Sequence, residues 1–106
     1  MIHKAAERER AKGWFAGPWD SALPLPVGYA HQGIAEPHRH RQMWEIYLVA
    51  RGTCTATVEG REVPLAVGDM LAVAPGEAHT FADNSPEYLH FVLQVPFVAG
   101  DKEPLG

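Results

Sequence analysis

Turn-forming residues recur so often between Val27 and Val95 that long helices are excluded there, and this punctuation narrows the fold more than any other feature. The 106 residues include 10 glycines and 9 prolines, many of them separating short runs rich in β-branched and aromatic side chains. The spacing predicts strands at Val27–Gln32, Glu36–His40, Trp44–Ala50, Thr53–Glu59, Glu62–Val67, Met70–Ala74, His79–Ala82 and Glu87–Val95. Glu59-Gly60-Arg61 reads as a hairpin turn, and Gly68-Asp69 as the start of another return. Short strands at this spacing suit an all-β, double-sheet jelly roll.

A chain of this length is one domain by size. Residues 27–99 are expected to form it, with 1–26 as an N-terminal extension packing on it and 100–106 as a loose C-terminal tail. Ile2 to Lys12 is compatible with a short helix, although its apolar residues are mostly alanines, too weak to anchor it alone. Gly13 to Trp19 reads as an irregular lead-in whose aromatic side chains pack on the outside or mouth of the barrel, with a lid or a subunit contact as alternatives.

The formal charge of -4 argues against a nucleic-acid partner, because phosphate binding needs clustered cations. Arg8, Arg10 and Lys12 alternate with Glu7 and Glu9 and read as a solvated face. No segment approaches the roughly 20 apolar residues that cross a bilayer, and His3 to Arg8 lacks the apolar region of a signal peptide, so no membrane partner is expected and the cytoplasm is the default compartment. The lone Cys54 has no partner for an intramolecular disulfide and reads as a small strand residue.

Chemistry concentrates in two blocks. His38 and His40, one residue apart, project from the same side of a strand, and Glu45 follows after a gap long enough for a tight turn. His79, just beyond Pro75-Gly76, supplies a third imidazole, and the four side chains can converge on one metal ion. Imidazole and carboxylate suit a divalent transition ion such as Fe, Mn, Ni, Co, Cu or Zn, and the absence of thiolates argues against a closed structural zinc site. Three His and one Glu leave two neighbouring octahedral positions for a substrate, or for substrate plus dioxygen.

Gly33, His38, His40, Glu45 and Gly52 resemble the first cupin motif, and Gly68-Asp69, Pro75, Gly76 and His79 resemble the second. The pattern departs from the family at three places: four residues rather than five separate Gly33 from His38, Pro75 stands one place late, and Asp83, followed by Asn84, occupies the position of a motif asparagine. The resemblance implies a double-stranded β-helix, small-molecule substrates and a homodimer. Its range of activities includes dioxygenases, isomerases, lyases, decarboxylases and binding modules without turnover.

Strand phase extends the site. Tyr47 and Val49 share a face with Glu45, and Phe81 shares one with His79. On the last strand Tyr88, His90, Val92 and Gln94 lie on one face, opposite Leu89, Phe91, Leu93 and Val95, and either face is compatible with the lumen. The resemblance favours the mixed face, because positions preceding the proline that ends this strand, here Pro96, often line the pocket. His90 is then the candidate general acid or base, with Tyr47 and Tyr88 as proton donors. His31 reads as a partly exposed strand residue and Trp44 as core pointing away from the metal. The expected function is a metal-dependent enzyme on a small polar molecule, with dioxygenase chemistry ahead of isomerase or lyase chemistry; the alternative is a non-catalytic binding module. A wholly apolar pocket would favour oxygen chemistry, and His90 with Gln94 inside it would favour proton transfer.

Overall fold

Residues 1–105 are described by a computed structural model. Its strands are β1 (Lys12–Ala16), β2 (Val27–Ala30), β3 (His38–His40), β4 (Trp44–Arg51), β5 (Thr53–Val58), β6 (Arg61–Ala66), β7 (Met70–Val73), β8 (His79–Ala82), β9 (Leu89–Val95) and β10 (Lys102–Pro104). They form two five-stranded sheets, one ordered β1-β2-β9-β4-β7 and the other β10-β3-β8-β5-β6, and every pairing is antiparallel. This is the all-β jelly roll expected from the punctuation.

The period-two pattern of β4 explains how the sheets meet. Glu45, Tyr47 and Val49 are buried, while Trp44 and Leu48 face outward. Tyr47, Val49 and Val73 from one sheet pack with Cys54, Ala56, Leu65 and Phe81 from the other. Burying a side chain of Phe81's size stabilises the sandwich by roughly 2–3 kcal/mol. Between β5 and β6, Glu59 and Gly60 both take positive φ, 48° and 76°, the two-residue mirror-image turn whose twist matches that of the strands.

Both ends of the chain depart from expectation. There is no helix over Ile2–Lys12 or elsewhere among the described residues. Instead Lys12–Ala16, expected to be the end of a helix and an irregular lead-in, pairs with β2, because an edge strand satisfies backbone groups that an alanine-based helix could not hold in place. Trp14 and Trp19 pack edge to face with ring centroids 5.8 Å apart, and Trp19 meets Phe97 at 5.7 Å. The loose tail expected at 100–106 is likewise corrected over 102–104, since Lys102, Glu103 and Pro104 pair with His40, Arg39 and His38, while residue 106 lies outside the described residues. Asp101 anchors that pairing: its carboxylate accepts from the backbone N–H groups of Gln42 at 2.9 Å and Met43 at 2.9 Å. Arg39 and Arg41 both donate to the Glu103 carboxylate.

Trp44 points away from the metal residues as expected, but it is 45% exposed rather than in the core, because it lies on the outer face of its sheet. His31 is half-buried, with its ring nitrogens 3.3 Å from the Tyr88 carbonyl and 3.2 Å from the Glu7 carbonyl. Asn84 stands in for the motif asparagine, its side-chain oxygen accepting the Gly33 N–H at 3.2 Å, while Asp83 takes a φ of 56°.

Candidate metal centre and cavity

Three short strands bring the four predicted ligands together. His38 and His40 project from β3, Glu45 from β4 and His79 from β8, where His79 lies directly opposite His38. All four are buried, and one ligand atom from each falls within 4.8 Å of the others. The Oε1 atom of Glu45 lies 2.9 Å from His40 Nε2, 3.0 Å from His79 Nε2 and 3.9 Å from His38 Nε2.

The outer ring nitrogens fix the chemistry. His38 Nδ1–H donates to the Glu36 carbonyl at 3.1 Å, and His79 Nδ1–H donates to the Glu77 carbonyl at 3.0 Å. In that tautomer each ring can turn an Nε2 lone pair inward to a metal ion. Lone pairs of imidazole and carboxylate gathered this closely repel unless a metal ion, or protons through which the rings hydrogen-bond Glu45, lie among them. His40 Nδ1 has no hydrogen-bond partner, so its tautomer is not held by the backbone. The donor set therefore fits a divalent transition ion held by His38, His40, Glu45 and His79.

Burial alone would raise the Glu45 carboxyl, but hydrogen bonds with His38, His40, His79 and Gln94 outweigh it and hold the group well below the usual carboxylate range. Gln94 lies opposite Glu45 in the β4–β9 register and donates to Oε2 at 2.9 Å. The Tyr47 hydroxyl donates to Oε1 at 2.7 Å. Burial and the Glu45 charge push the Tyr47 phenol well up, so it stays protonated.

A cavity of about 400 Å³ opens beside the cluster, and His38, His40, Glu45, Tyr47, His90 and Gln94 face it. Phe81 and Val92 supply apolar wall, and Trp14, from the N-terminal extension, also borders it. Tyr88 is fully buried and does not line the cavity as expected; it stands behind His90, with its hydroxyl 2.6 Å from His90 Nδ1. Cys54 belongs to the same buried cluster as Tyr88. Burial lowers His90 to about 4, against an opposing pull from the Glu45 charge, so the imidazole is neutral near pH 7.

Arg10 and Lys12, expected on a solvated face, are exposed but also border this cavity, and Lys102 from β10 joins them. No local signal revealed this, because their position depends on edge strands that carry little apolar pattern.

The profile described as the cupin domain matches residues 27–95. The chain belongs to the cupin family. Among solved structures, a cupin protein from Bacteroides fragilis is 23% identical, with a TM-score of 0.71 over 93% of this chain and 86% of that one. KdgF from Halomonas sp. is 21% identical, with a TM-score of 0.69 over 92% of this chain and 89% of its own. Pac13 from Streptomyces, described as a nucleoside dehydratase, is 16% identical, with a TM-score of 0.68 over 97% and 92% of the two chains. At these identities the likeness concerns the cupin fold. No curated protein matches the chain.

Proposed function

We propose that this cupin is a metal-dependent enzyme that moves a proton on a small polar organic molecule, in an isomerisation or elimination rather than a dioxygenase reaction. The observation that carries this reading is His90, which faces the same cavity as the His38, His40, Glu45 and His79 cluster and is backed by Tyr88. A bound divalent ion would supply a Lewis acid that polarises an oxygen of the substrate.

The residues of the chain divide the remaining work. In the tautomer whose Nδ1–H donates to the Tyr88 oxygen, His90 Nε2 is free to accept a proton. The low affinity of the buried ring for that proton makes the imidazolium a strong acid that returns it readily. Tyr47, kept protonated, donates to Glu45 and holds it in place at the cavity wall. Gln94 fixes the other Glu45 oxygen. Phe81 presents apolar surface that excludes water from one side. The polar wall supplied by His90, Tyr47 and Gln94 is what proton transfer needs and oxygen chemistry does not.

Trp44 and Val95 are paired across β4 and β9, and Leu48 and Met70 across β4 and β7, all exposed on the outer face of one sheet. An apolar face of this kind supports a homodimer built by apposing two copies. The acidic balance supports a small-molecule partner over nucleic acid, and no described helix is long and apolar enough to cross a membrane; the cytoplasm is the proposed compartment.

The deciding experiment loads the protein anaerobically with Fe(II), Mn(II) or Zn(II) and follows a panel of sugars, hydroxy acids and nucleosides in deuterated water. The expected result is metal-dependent turnover with solvent deuterium at carbon and no need for oxygen. Substrate-dependent oxygen uptake would return the assignment to a dioxygenase, and ligand binding with no turnover would leave a binding module.

A further inference from the structure

The chain has 13 acidic and 9 basic residues, yet the cavity reverses that balance. Arg10, Lys12 and Lys102 border it, and its only carboxylate among the described residues is Glu45, which is committed to the histidine cluster. Arg10 lies 3.8 Å from Glu7, so its charge is partly met. Neither lysine has an ion-pair partner among the described residues.

The sheet register places both lysines in rows that lead to the chemistry. Residues directly opposite on antiparallel strands project from the same face. Lys102 is opposite His40, and Lys12 is opposite Ala30, which is in turn opposite His90. Lys12 thus continues the His90 row across two strand spacings, roughly 10 Å, and Lys102 continues the His40 row by one. One row over, Trp14 lies across Gly28, where a Cβ would meet its indole at 2.7 Å, and walls the same opening.

We propose that Lys12 and Lys102 bind an anionic group at one end of the substrate while its other end meets the metal cluster and His90, so that the site takes small organic acids in preference to neutral molecules. The proposal rests on the metal-centred reading and adds the ligand class. The strands carrying the two lysines lie outside the residues matched by the cupin domain, so this selectivity belongs to the flanking segments of this chain.

The test titrates the zinc-loaded full chain by calorimetry with succinate, glutarate, adipate and pimelate, each beside the monocarboxylate of equal length, with zinc content measured on the same samples. The longer diacids should bind about fivefold more tightly than their monoacids, as two exposed ion pairs predict. That excess should shrink with added salt and vanish in the Lys12→Gln/Lys102→Gln double variant, whose sites are exposed and should not disturb folding. Chains ending in phosphonate serve as a parallel arm, and the tighter series names the anion. Near-stoichiometric zinc with equal affinity for mono- and diacids, or an excess that survives in the double variant, overturns the proposal and leaves the metal reading intact. Failure to retain zinc overturns both.

Discussion

Acidification should destabilise the metal-free protein through His90. The ring's affinity for a proton falls from an ordinary value of 6.5 to about 4 in the fold, chiefly through burial. Between those pH values the unfolded chain binds a proton at this position that the folded chain refuses, so stability rises with pH across the window. Going down from pH 6.5, folding loses up to about 1.4 kcal/mol per pH unit and about 3 kcal/mol in total by pH 4, after which the contribution levels off. For a domain stabilised by roughly 5–15 kcal/mol, this is a large share. Urea unfolding of chelator-treated protein, followed by tryptophan fluorescence at half-unit pH steps, measures it. The comparison is His90→Leu, which cannot take a proton; the Tyr88 hydroxyl it leaves unpaired shifts its curve by a constant, so the difference in slope isolates His90. Parallel profiles for the two proteins would refute the argument that burial keeps this ring neutral.

His79→Ala should lose most of its bound metal, because it removes one imidazole and leaves Glu45 short of a partner; unchanged stoichiometry by elemental analysis would count against the cluster. Asp101→Ala leaves the Gln42 and Met43 amides without their carboxylate acceptor and should cost about 1–3 kcal/mol in chemical denaturation. A loss below the error of the fit would mean that water replaces the carboxylate. Leu48→Glu places a charge in the middle of the exposed apolar sheet face and should convert the proposed homodimer to monomer in sedimentation, with metal content unchanged; a variant that stays dimeric would place the interface elsewhere.

Much of the centre was legible because it depends on parity. The alternation of His38 and His40, of Glu45 and Tyr47, and of His90 and Gln94 survives any error of a residue or two at strand ends, since it concerns which face a side chain shares rather than where a strand stops. Parity also turned Trp44 away from the ligands, but it could not say whether the outer face would be covered. Tyr88 shares the His90 parity and still misses the cavity, because it precedes β9 and sits deeper, against Cys54. The ends were opaque for a different reason. Lys102-Glu103-Pro104 has no apolar pattern, and its place is fixed by Asp101 and Glu103 reaching residues near position 40, distant along the chain. Lys12 reads as part of a charged, alanine-rich segment until β2 is there to pair with it.

The short β3 strand has a kinetic consequence. It carries two of the four candidate ligands, yet it meets β8 through the single pair His38–His79, while β10 lies beside all three of its residues. Fraying at the C-terminal end should therefore loosen half of the candidate ligand cluster without disturbing the sandwich. The rate at which a held ion escapes or is exchanged should track this local opening, well below the free energy of global unfolding, and amide hydrogen exchange in β3 and β10 should rise and fall together.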